Sequence, residues 1–281
     1  MIGLIGGTGF ENVAPTKALY QVDQFEPETC FGYPSAPIIK YKTEDEKHFL
    51  FLSRFGQKHE LSPSAVPYRA NILALKEAGV TTIVSISAAG SLKNYFAPGA
   101  LAIPDQLIDR TTRPSSFFYR GCAVAHVDML NPFCNEAGKK IIPGMGEAYL
   151  CMEGPALSTK AESLVNRLTA TFVGMTVGTE ARLCREAQIC YIPILVITDY
   201  DYAEWKGARG TAGDIATEAA KNNGLAMALF VENLGVLINH DDGHCSCRSS
   251  LKDAVLFSAF TDRLVERDNE LTYHAFQVLQ R

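Results

Sequence analysis

Short apolar segments typical of buried strands alternate with longer amphipathic segments typical of helices along the first 235 residues of this chain. The strand-like segments include Ile2–Ile5, Thr81–Ile86 and Ile189–Thr198, and the clearest helical segments are Pro67–Ala78 and Asp214–Leu234. This alternation predicts an α/β fold in which helices pack on a central, parallel or mixed β-sheet. No linker or internal repeat divides these residues, so we expect one domain over residues 1–237. Residues 238–281 would then form a C-terminal extension that packs on this domain or on a neighbouring subunit.

The composition is that of an ordinary globular protein. Of the 281 residues, 47% are hydrophobic and 20% are charged, which excludes a disordered chain. The net charge of −5 gives no electrostatic support to general nucleic-acid binding. The longest apolar runs, such as Ile192–Ile197, fall far short of the roughly 20 residues that cross a bilayer. No basic segment precedes an apolar one at the start of the chain, so we expect a cytoplasmic protein that does not associate with membranes.

Small or polar clusters follow several of the predicted strands. They are Gly6-Gly7-Thr8-Gly9, Arg54, Ser87-Ala88-Ala89-Gly90, Met175-Thr176 and Asp199-Tyr200-Asp201. Ligands bind beyond the carboxyl ends of the strands in an α/β sheet, so these clusters converge on one site if the strands are parallel. Glycine N–H groups and the Thr8 hydroxyl suit an oxyanion, and Arg54 suits a bidentate phosphate contact. The combination therefore predicts a phosphate pocket, although each cluster alone is also compatible with a turn or a surface loop.

Two carboxyl groups, Asp199 and Asp201, stand at the end of the last predicted strand. Because they are two residues apart, their side chains share one side of an extended chain. A carboxyl group at this place can give a proton to a heterocyclic base or take one from it.

Eight segments of the chain form an ordered set. They are IGLIGGTGF, SRFGQKHELSPSAVPYRANILALKEAGV, SAAGSL, PGALAIPDQLIDRTTRPSSFF, HVDMLNPFC, MEGPALSTKAES, VGMTVGTEARLCREAQICY and ITDYDYAEW. Over about residues 2–235 this set resembles the 5′-methylthioadenosine phosphorylases, which belong to the trimeric purine nucleoside phosphorylases. The resemblance implies a central mixed sheet flanked by helices and a homotrimer with sites near the subunit interfaces. It also implies a pentosyltransferase reaction, in which phosphate cleaves 5′-methylthioadenosine into adenine and 5-methylthioribose 1-phosphate.

The resemblance implies a role for each matching position. The phosphate positions are Thr8, Arg54, Phe55, Ser87, Ala88 and Thr176. The nucleoside positions are Ala89, Met175, Asp199, Tyr200, Asp201, Gly213 and, from a neighbouring subunit, His126. Asp199 would be the acid at N7 of the purine and Asp201 a supporting contact, with no metal or organic cofactor and with phosphate as co-substrate. Asp199 also favours a 6-amino purine, because a carboxylate accepts the hydrogen bonds that an amino group donates.

The chain departs from the family pattern at several positions. Phe55 stands where the family usually has histidine, and Leu157 where it usually has an aromatic residue. His59 is a candidate replacement for the missing donor, although an ordinary surface histidine explains it equally well. Gly213 and Ala216 fall where larger apolar residues usually line the methylthio pocket. Two alternatives therefore stay open: a purine nucleoside phosphorylase acting on adenosine or inosine, and a catalytically weak paralogue that binds a nucleoside.

Residues 240–247 combine a His-x₃-His pair with Cys245 and Cys247, which is enough to supply the ligands of a zinc site. We nevertheless expect no metal there, because the microbial enzymes that this chain resembles often carry such a cysteine pair without a required metal. The other six of the eight cysteines are interpreted as small buried hydrophobes or free thiols.

Overall fold

Two runs of four strands, each followed by a helix, precede a stretch of alternating single strands and helices in the part of the chain that the computed structural model describes. This part covers residues 1–10, 19–118, 123–142, 147–201, 210–240, 245–252, 254–257 and 278. The strands are β1 (Ile2–Gly6), β2 (Leu19–Phe25), β3 (Ile38–Thr43), β4 (His48–Ser53), β5 (Thr82–Ser91), β6 (Leu101–Ala102), β7 (Gln106–Asp109), β8 (Ala123–Ala125), β9 (Ala148–Cys151), β10 (Phe172–Gly174), β11 (Cys190–Tyr200) and β12 (Val255–Phe257). The α-helices are α1 (Tyr68–Glu77), α2 (Asn135–Ile141), α3 (Lys160–Thr169), α4 (Val177–Glu186) and α5 (Ala212–His240), and a 3₁₀-helix covers Ser246–Ser249.

The centre of the main sheet is parallel. β1 lies between β4 and β5 and is parallel to both, and β11 is parallel to β5. Antiparallel strands β3 and β2 extend the sheet beyond β4, whereas β10 pairs antiparallel with the last residues of β5 and is followed by β9 and β7. β6 adds an antiparallel edge to β11, and β8 and β12 form a separate pair. The prediction of a central mixed sheet flanked by helices is confirmed.

Side chains alternate between two hydrophobic clusters along the central strands, as the pleat of a strand requires. On β5, Ile83 belongs to one cluster, and Val84 and Ile86 belong to the other. Leu73 of α1 and Leu183 of α4 pack in the first cluster. Ile141 of α2 and Phe230 and Leu234 of α5 pack in the second. The sheet is therefore covered on both faces, and its central strands have little contact with water.

The predicted central elements are present, with small shifts at their ends. The helix predicted over Pro67–Ala78 is α1, and the strand predicted over Ile189–Thr198 is β11, which runs two residues further. The helix predicted to end at Leu234 continues to His240, so the predicted domain boundary at residue 237 falls inside α5. The division into a domain and an extension stays a prediction. No helix among the described residues has the length and apolar character needed to cross a membrane.

Candidate active site

A cavity of about 730 Å³ opens where the central strands end. Its lining includes residues of all the polar clusters that follow the strands, and they are joined by side chains from α5 and from two loops. The lining residues are Thr8, Gly9, Arg54, Phe55, Gln57, Lys58, His59, Pro63, Ser87, Ala88, Ala89, Gly90, Met152, Pro155, Leu157, Val173, Gly174, Met175, Thr176, Thr198, Asp199, Asp201, Ala212, Ile215 and Ala216.

The clusters converge although one of the strands that carries them runs the opposite way. β1 pairs with β5 only as far as Ile86, and β5 continues beyond the end of β1 to Ser91. β10 pairs antiparallel with this projecting end. Its carboxyl end therefore points back toward Ser87, and Met175 and Thr176, which follow it, reach the same cavity. The expectation that the strands are parallel holds for β1, β4, β5 and β11 but not for β10.

Arg54 is held in the cavity wall by a buried ion pair. Its side chain is only 1% exposed. Nε donates to Oε1 of Glu180 at 2.5 Å, and Nη2 donates to Oε2 at 3.1 Å. The Tyr191 hydroxyl also donates to Oε2 of Glu180, at 2.6 Å. Burial by itself disfavours the charged guanidinium, but the charge and hydrogen bonds of Glu180 raise the pKa of Arg54 above its usual value. Arg54 is thus a rigid, permanent cation beside the cavity.

The glycine turn after β1 is packed against this cation. A side chain at Gly7 would place its Cβ 2.5 Å from Nη1 of Arg54 and 2.8 Å from the carbonyl oxygen of Ile86, so this position requires glycine. Thr8 comes next, and its carbonyl oxygen accepts a hydrogen bond from Nδ2 of Asn223 at 3.1 Å. The turn therefore joins β1, β4, β5 and α5 around one end of the cavity.

Two hydroxyl groups at this end are available to a ligand. The Ser87 side chain is buried, and its Oγ has no hydrogen-bond partner among the described residues. Thr176 is the N-cap residue of α4, and its side chain makes no capping hydrogen bond. The first N–H groups of a helix lack intrahelical partners and carry partial positive charge. Together with Arg54 and the glycine turn, these groups form a site that suits an oxyanion.

Two buried carboxyl groups face the cavity from the end of β11. The register between β5 and β11 shifts between Ile197 and Asp199, and such a bulge re-aims the side chains that follow it. Asp199 accepts a hydrogen bond from the Thr198 hydroxyl at 2.9 Å. Asp201 accepts from Ser163 at 2.5 Å and from Ser158 at 3.3 Å. Two serine hydroxyls therefore orient the Asp201 carboxyl group.

The first turns of α5 form an apolar wall. Thr211 and Asp214 cap the helix reciprocally: the Thr211 N–H donates to the Asp214 carboxylate at 2.8 Å, and the Asp214 N–H donates to the Thr211 hydroxyl at 3.2 Å. This start places Ala212, Ile215 and Ala216 on one face, at the spacing of adjacent helical turns. Gly213, which was expected here, does not line the cavity, because it lies on another face of the helix. Ile215 supplies the larger apolar side chain.

Phe55 and His59 lie together at the edge of the cavity. The Phe55 side chain is buried, and its ring centroid is 4.7 Å from that of His59. His59 is exposed and also lines the cavity, so a histidine is present beside the position where the family usually has one. Leu157 lines the cavity as well, with 39% of its surface exposed.

Two further predicted residues lie away from the cavity. Tyr200 is half-buried between Asp199 and Asp201 but does not contribute to the lining. His126 is exposed and follows β8, and its backbone N–H donates to the carbonyl oxygen of Ala254 at 2.8 Å.

Sequence reasoning missed Glu180, Lys58 and Ile215. Glu180 was detectable, because it stands four residues after Thr176 and therefore reaches the same end of the helix.

Comparisons with known proteins agree with this geometry. The family model described as the phosphorylase superfamily matches residues 1–233. An S-methyl-5′-thioadenosine phosphorylase of Pyrococcus horikoshii is 43% identical over 260 residues, which cover 89% of this chain and 97% of that protein. A protein of the same name from Thermococcus kodakarensis is 38% identical over the same shares of the two chains.

Solved structures are similar as well. A methylthioadenosine phosphorylase from an antarctic soil metagenomic library superposes with a TM-score of 0.80 at 35% identity, covering 99% of this chain and 98% of that one. The methylthioadenosine phosphorylase of Schistosoma mansoni in complex with adenine has a TM-score of 0.78 at 27% identity, covering 90% of this chain and 99% of that one. With the matched family model and these relatives, the chain belongs to the phosphorylase superfamily and groups within it with the S-methyl-5′-thioadenosine phosphorylases.

Proposed function

We infer that this enzyme is a pentosyltransferase that cleaves the N-glycosidic bond of 5′-methylthioadenosine with inorganic phosphate. The products are adenine and 5-methylthioribose 1-phosphate. One observation carries the inference most strongly: a single cavity has an anion site at one end, around Arg54 and Ser87, and two buried carboxyl groups, Asp199 and Asp201, elsewhere in its wall. Phosphate is a co-substrate, and the reaction uses no organic cofactor.

The anion site supplies electrostatic stabilisation. The glycosidic bond breaks through a sugar with cationic character, and a phosphate dianion held beside C1′ stabilises that charge. Arg54, the Thr8 and Ser87 hydroxyls and the start of α4 at Thr176 hold the dianion in our proposal. The ion pair with Glu180 keeps the guanidinium in place before substrate arrives, so no reorganisation is needed during the reaction.

The carboxyl groups act on the departing purine. Negative charge develops on the base as the bond breaks, and a proton or a hydrogen bond at N7 disperses it. The Ser158 and Ser163 hydroxyls donate to the Asp201 carboxyl group and fix its orientation, which suits a supporting contact to the base. We assign Asp199 as the group that gives a proton at N7 and also faces the substituent at C6 of the purine.

The apolar wall of α5 suits the substituent at C5′. Ala212, Ile215 and Ala216 offer no hydrogen-bonding side chain to a 5′-hydroxyl, whereas a methylthio group buries apolar surface against them. An apolar pocket discriminates poorly against a substrate that merely carries a hydroxyl. We therefore expect adenosine to be a weaker substrate of the same site.

We further propose that the enzyme acts in the cytoplasm as a homotrimer. Leu164, Val165 and Leu168 form an exposed apolar stripe on α3, with Leu168 79% exposed. Exposed apolar patches of this kind are typical of subunit interfaces. His126, which lies away from the cavity of its own chain, would then cover the nucleoside site of a neighbouring subunit.

The proposed reaction is tested by measuring base release from 5′-methylthioadenosine, adenosine and inosine, each with and without phosphate. We expect release that requires phosphate and is fastest with 5′-methylthioadenosine. Faster release from adenosine or inosine would assign the enzyme to the purine nucleoside phosphorylases with a different 5′ preference. Nucleoside binding without release from any of the three would favour a binding paralogue and would point to Phe55 as the defect.

Substitution of Asp199 tests the assignment of the base contacts. We predict that Asp199→Asn lowers kcat/KM for 5′-methylthioadenosine about 100-fold or more, because asparagine has no carboxyl proton to transfer to N7 and cannot accept from the 6-amino group through a carboxylate. The loss for inosine should be much smaller, since an asparagine amide can donate to a 6-oxo group. The exposed Asp23→Asn substitution on β2 is the control. An equal loss on both substrates would remove Asp199 from the recognition of the base.

A further inference from the structure

Four potential metal ligands meet at the opposite end of β11 from the active site. They are Cys134, Cys190, His240 and Cys245, and their ligand atoms all lie within 4.8 Å of one another. The first three residues are buried, and Cys245 is half-buried. The residues come from separate parts of the fold, since Cys134 is the N-cap residue of α2, Cys190 begins β11 and His240 ends α5.

The distances within the group suit tetrahedral coordination. Sγ of Cys134 is 3.2 Å from Nε2 of His240 and 3.7 Å from Sγ of Cys245. With Zn–S bonds of about 2.3 Å and Zn–N bonds of about 2.1 Å, the ligand atoms of a tetrahedral zinc site are about 3.5 to 3.8 Å apart. The two measured separations are close to these values. The described cysteines, including these three, are free thiols in the structure.

Contacts of the backbone hold the ligands in place. The Cys134 N–H donates to the carbonyl oxygen of Tyr191 at 2.9 Å, and the Cys190 N–H donates to that of Thr81 at 3.0 Å. The Arg248 N–H donates to the carbonyl oxygen of Cys245 at 2.9 Å, which fixes the turn that carries this ligand. The site is therefore built on the main sheet and on two helices, and the segment after α5 adds the last ligand.

We propose that Cys134, Cys190, His240 and Cys245 bind one zinc ion with a structural role. Three thiolates and one imidazole nitrogen in a tetrahedral arrangement are typical of structural zinc sites, and they leave no position open for a substrate. Asp199 is the ninth residue after Cys190, so this site lies about 30 Å from the cavity along the strand. The ion fastens the segment after α5 to the central sheet.

This ligand set differs from the one that the sequence suggested. The sequence pattern combined two histidines with Cys245 and Cys247, and we expected no metal. In the structure two of the ligands, Cys134 and Cys190, come from much earlier in the chain. Cys247 is buried in the same hydrophobic cluster as Cys134 and Cys190, so it is a spare thiol that could replace a lost ligand. The residue at position 244 lies outside the described residues.

The test uses a pair of variants that takes the spare thiol into account. Three proteins are produced in zinc-supplemented medium: the wild type, Cys247→Ser and the double variant Cys134→Ser/Cys247→Ser. The bound metal is measured by inductively coupled plasma mass spectrometry. We expect about one zinc per chain in the first two proteins and less than about a tenth of that in the double variant. Serine is a favoured N-cap residue, so Cys134→Ser should leave α2 intact. Cys30→Ser, which changes a thiol packed in the other cluster, should retain the zinc.

A second measurement does not depend on the variants. The reduced wild-type protein is stripped of metal and titrated with Co²⁺, and the visible spectrum should show the strong d–d bands of tetrahedral cobalt with thiolate ligands. The mass of the intact, alkylated chain distinguishes free thiols from disulfides. A wild-type protein that binds neither zinc nor cobalt, with its cysteines either free or paired in disulfides, would overturn the proposal. Full zinc occupancy in the double variant would overturn this ligand set.

Discussion

Ser87 and Thr82 lie on the same strand, and each carries a buried hydroxyl without a hydrogen-bond partner among the described residues. Ser87 lines the cavity and Thr82 lies at the other end of β5. A buried hydroxyl that makes no hydrogen bond lowers the stability of the fold by about 1–3 kcal/mol. At a functional site a bound ligand can supply the missing hydrogen bond. In our proposal phosphate is the partner of the Ser87 hydroxyl.

This pair of residues gives a matched test at the scale of the single side chain. We predict that Ser87→Ala raises the KM for phosphate about tenfold or more, because one hydrogen bond to a charged group is lost. Its thermal stability without phosphate should be unchanged or higher, because no internal hydrogen bond is broken. Thr82→Val removes the other hydroxyl and should leave the KM for phosphate unchanged. If Ser87→Ala has the wild-type KM, the hydroxyl does not contact the phosphate.

At the scale of the element, α4 connects the active site to the protein interior. Its N-cap residue, Thr176, lines the cavity, Glu180 holds Arg54, and Glu186 at its end is buried. Burial raises the pKa of the Glu186 carboxyl to about 7, although a hydrogen bond from the Phe117 N–H at 2.7 Å partly opposes the shift. Glu186 therefore carries its proton in the folded protein at a pH where the unfolded chain has already lost it.

This difference predicts how stability depends on pH. The contribution of Glu186 to the free energy of unfolding is fully present below pH 4.5, the ordinary pKa of this group. It is lost as the pH rises toward about 7. The loss amounts to roughly 3 kcal/mol. The stability of Glu186→Gln relative to wild type should therefore be higher at pH 8 than at pH 5. Both proteins are measured by thermal unfolding at the same protein concentration. The exposed Glu44→Gln substitution is the control for the loss of one carboxylate. A difference for Glu186→Gln that does not change with pH would contradict the raised pKa.

At the scale of the whole molecule, residues that follow strands were easier to predict than residues that reach the cavity from helices, of which Ala216 was expected and Ile215 was not. Arg54 and Asp199 stand where an apolar run gives way to polar residues, and that change is visible in the sequence. Ile215 and Gly213 lie on different faces of α5, and which face meets the cavity depends on the cap at Thr211 that sets the start of the helix. The antiparallel pairing of β10 depends on how far β5 extends beyond the end of β1, and no local sequence pattern indicates this length.

The proposed trimer also belongs to this scale. α3 presents Ser163 to Asp201 on its buried side and the Leu164–Val165–Leu168 stripe on its exposed side, so it lies between the proposed interface and the active site. We predict that Leu168→Lys produces smaller species in analytical ultracentrifugation and lowers kcat. Val22→Lys, at an exposed position on β2, is the control. A fully active trimer with lysine at position 168 would place the interface elsewhere.

The chemical identity of the sugar product tests most directly whether this cavity performs phosphorolysis. 5′-Methylthioadenosine is incubated with the enzyme and phosphate, and the mixture is followed by ³¹P nuclear magnetic resonance together with the absorbance change that reports adenine. The site around Arg54, Ser87 and Thr176 predicts a new sugar 1-phosphate resonance that grows in step with adenine. Adenine accompanied by free 5-methylthioribose, with the phosphate signal unchanged, would mean that water is the nucleophile and would contradict the anion site proposed for this cavity.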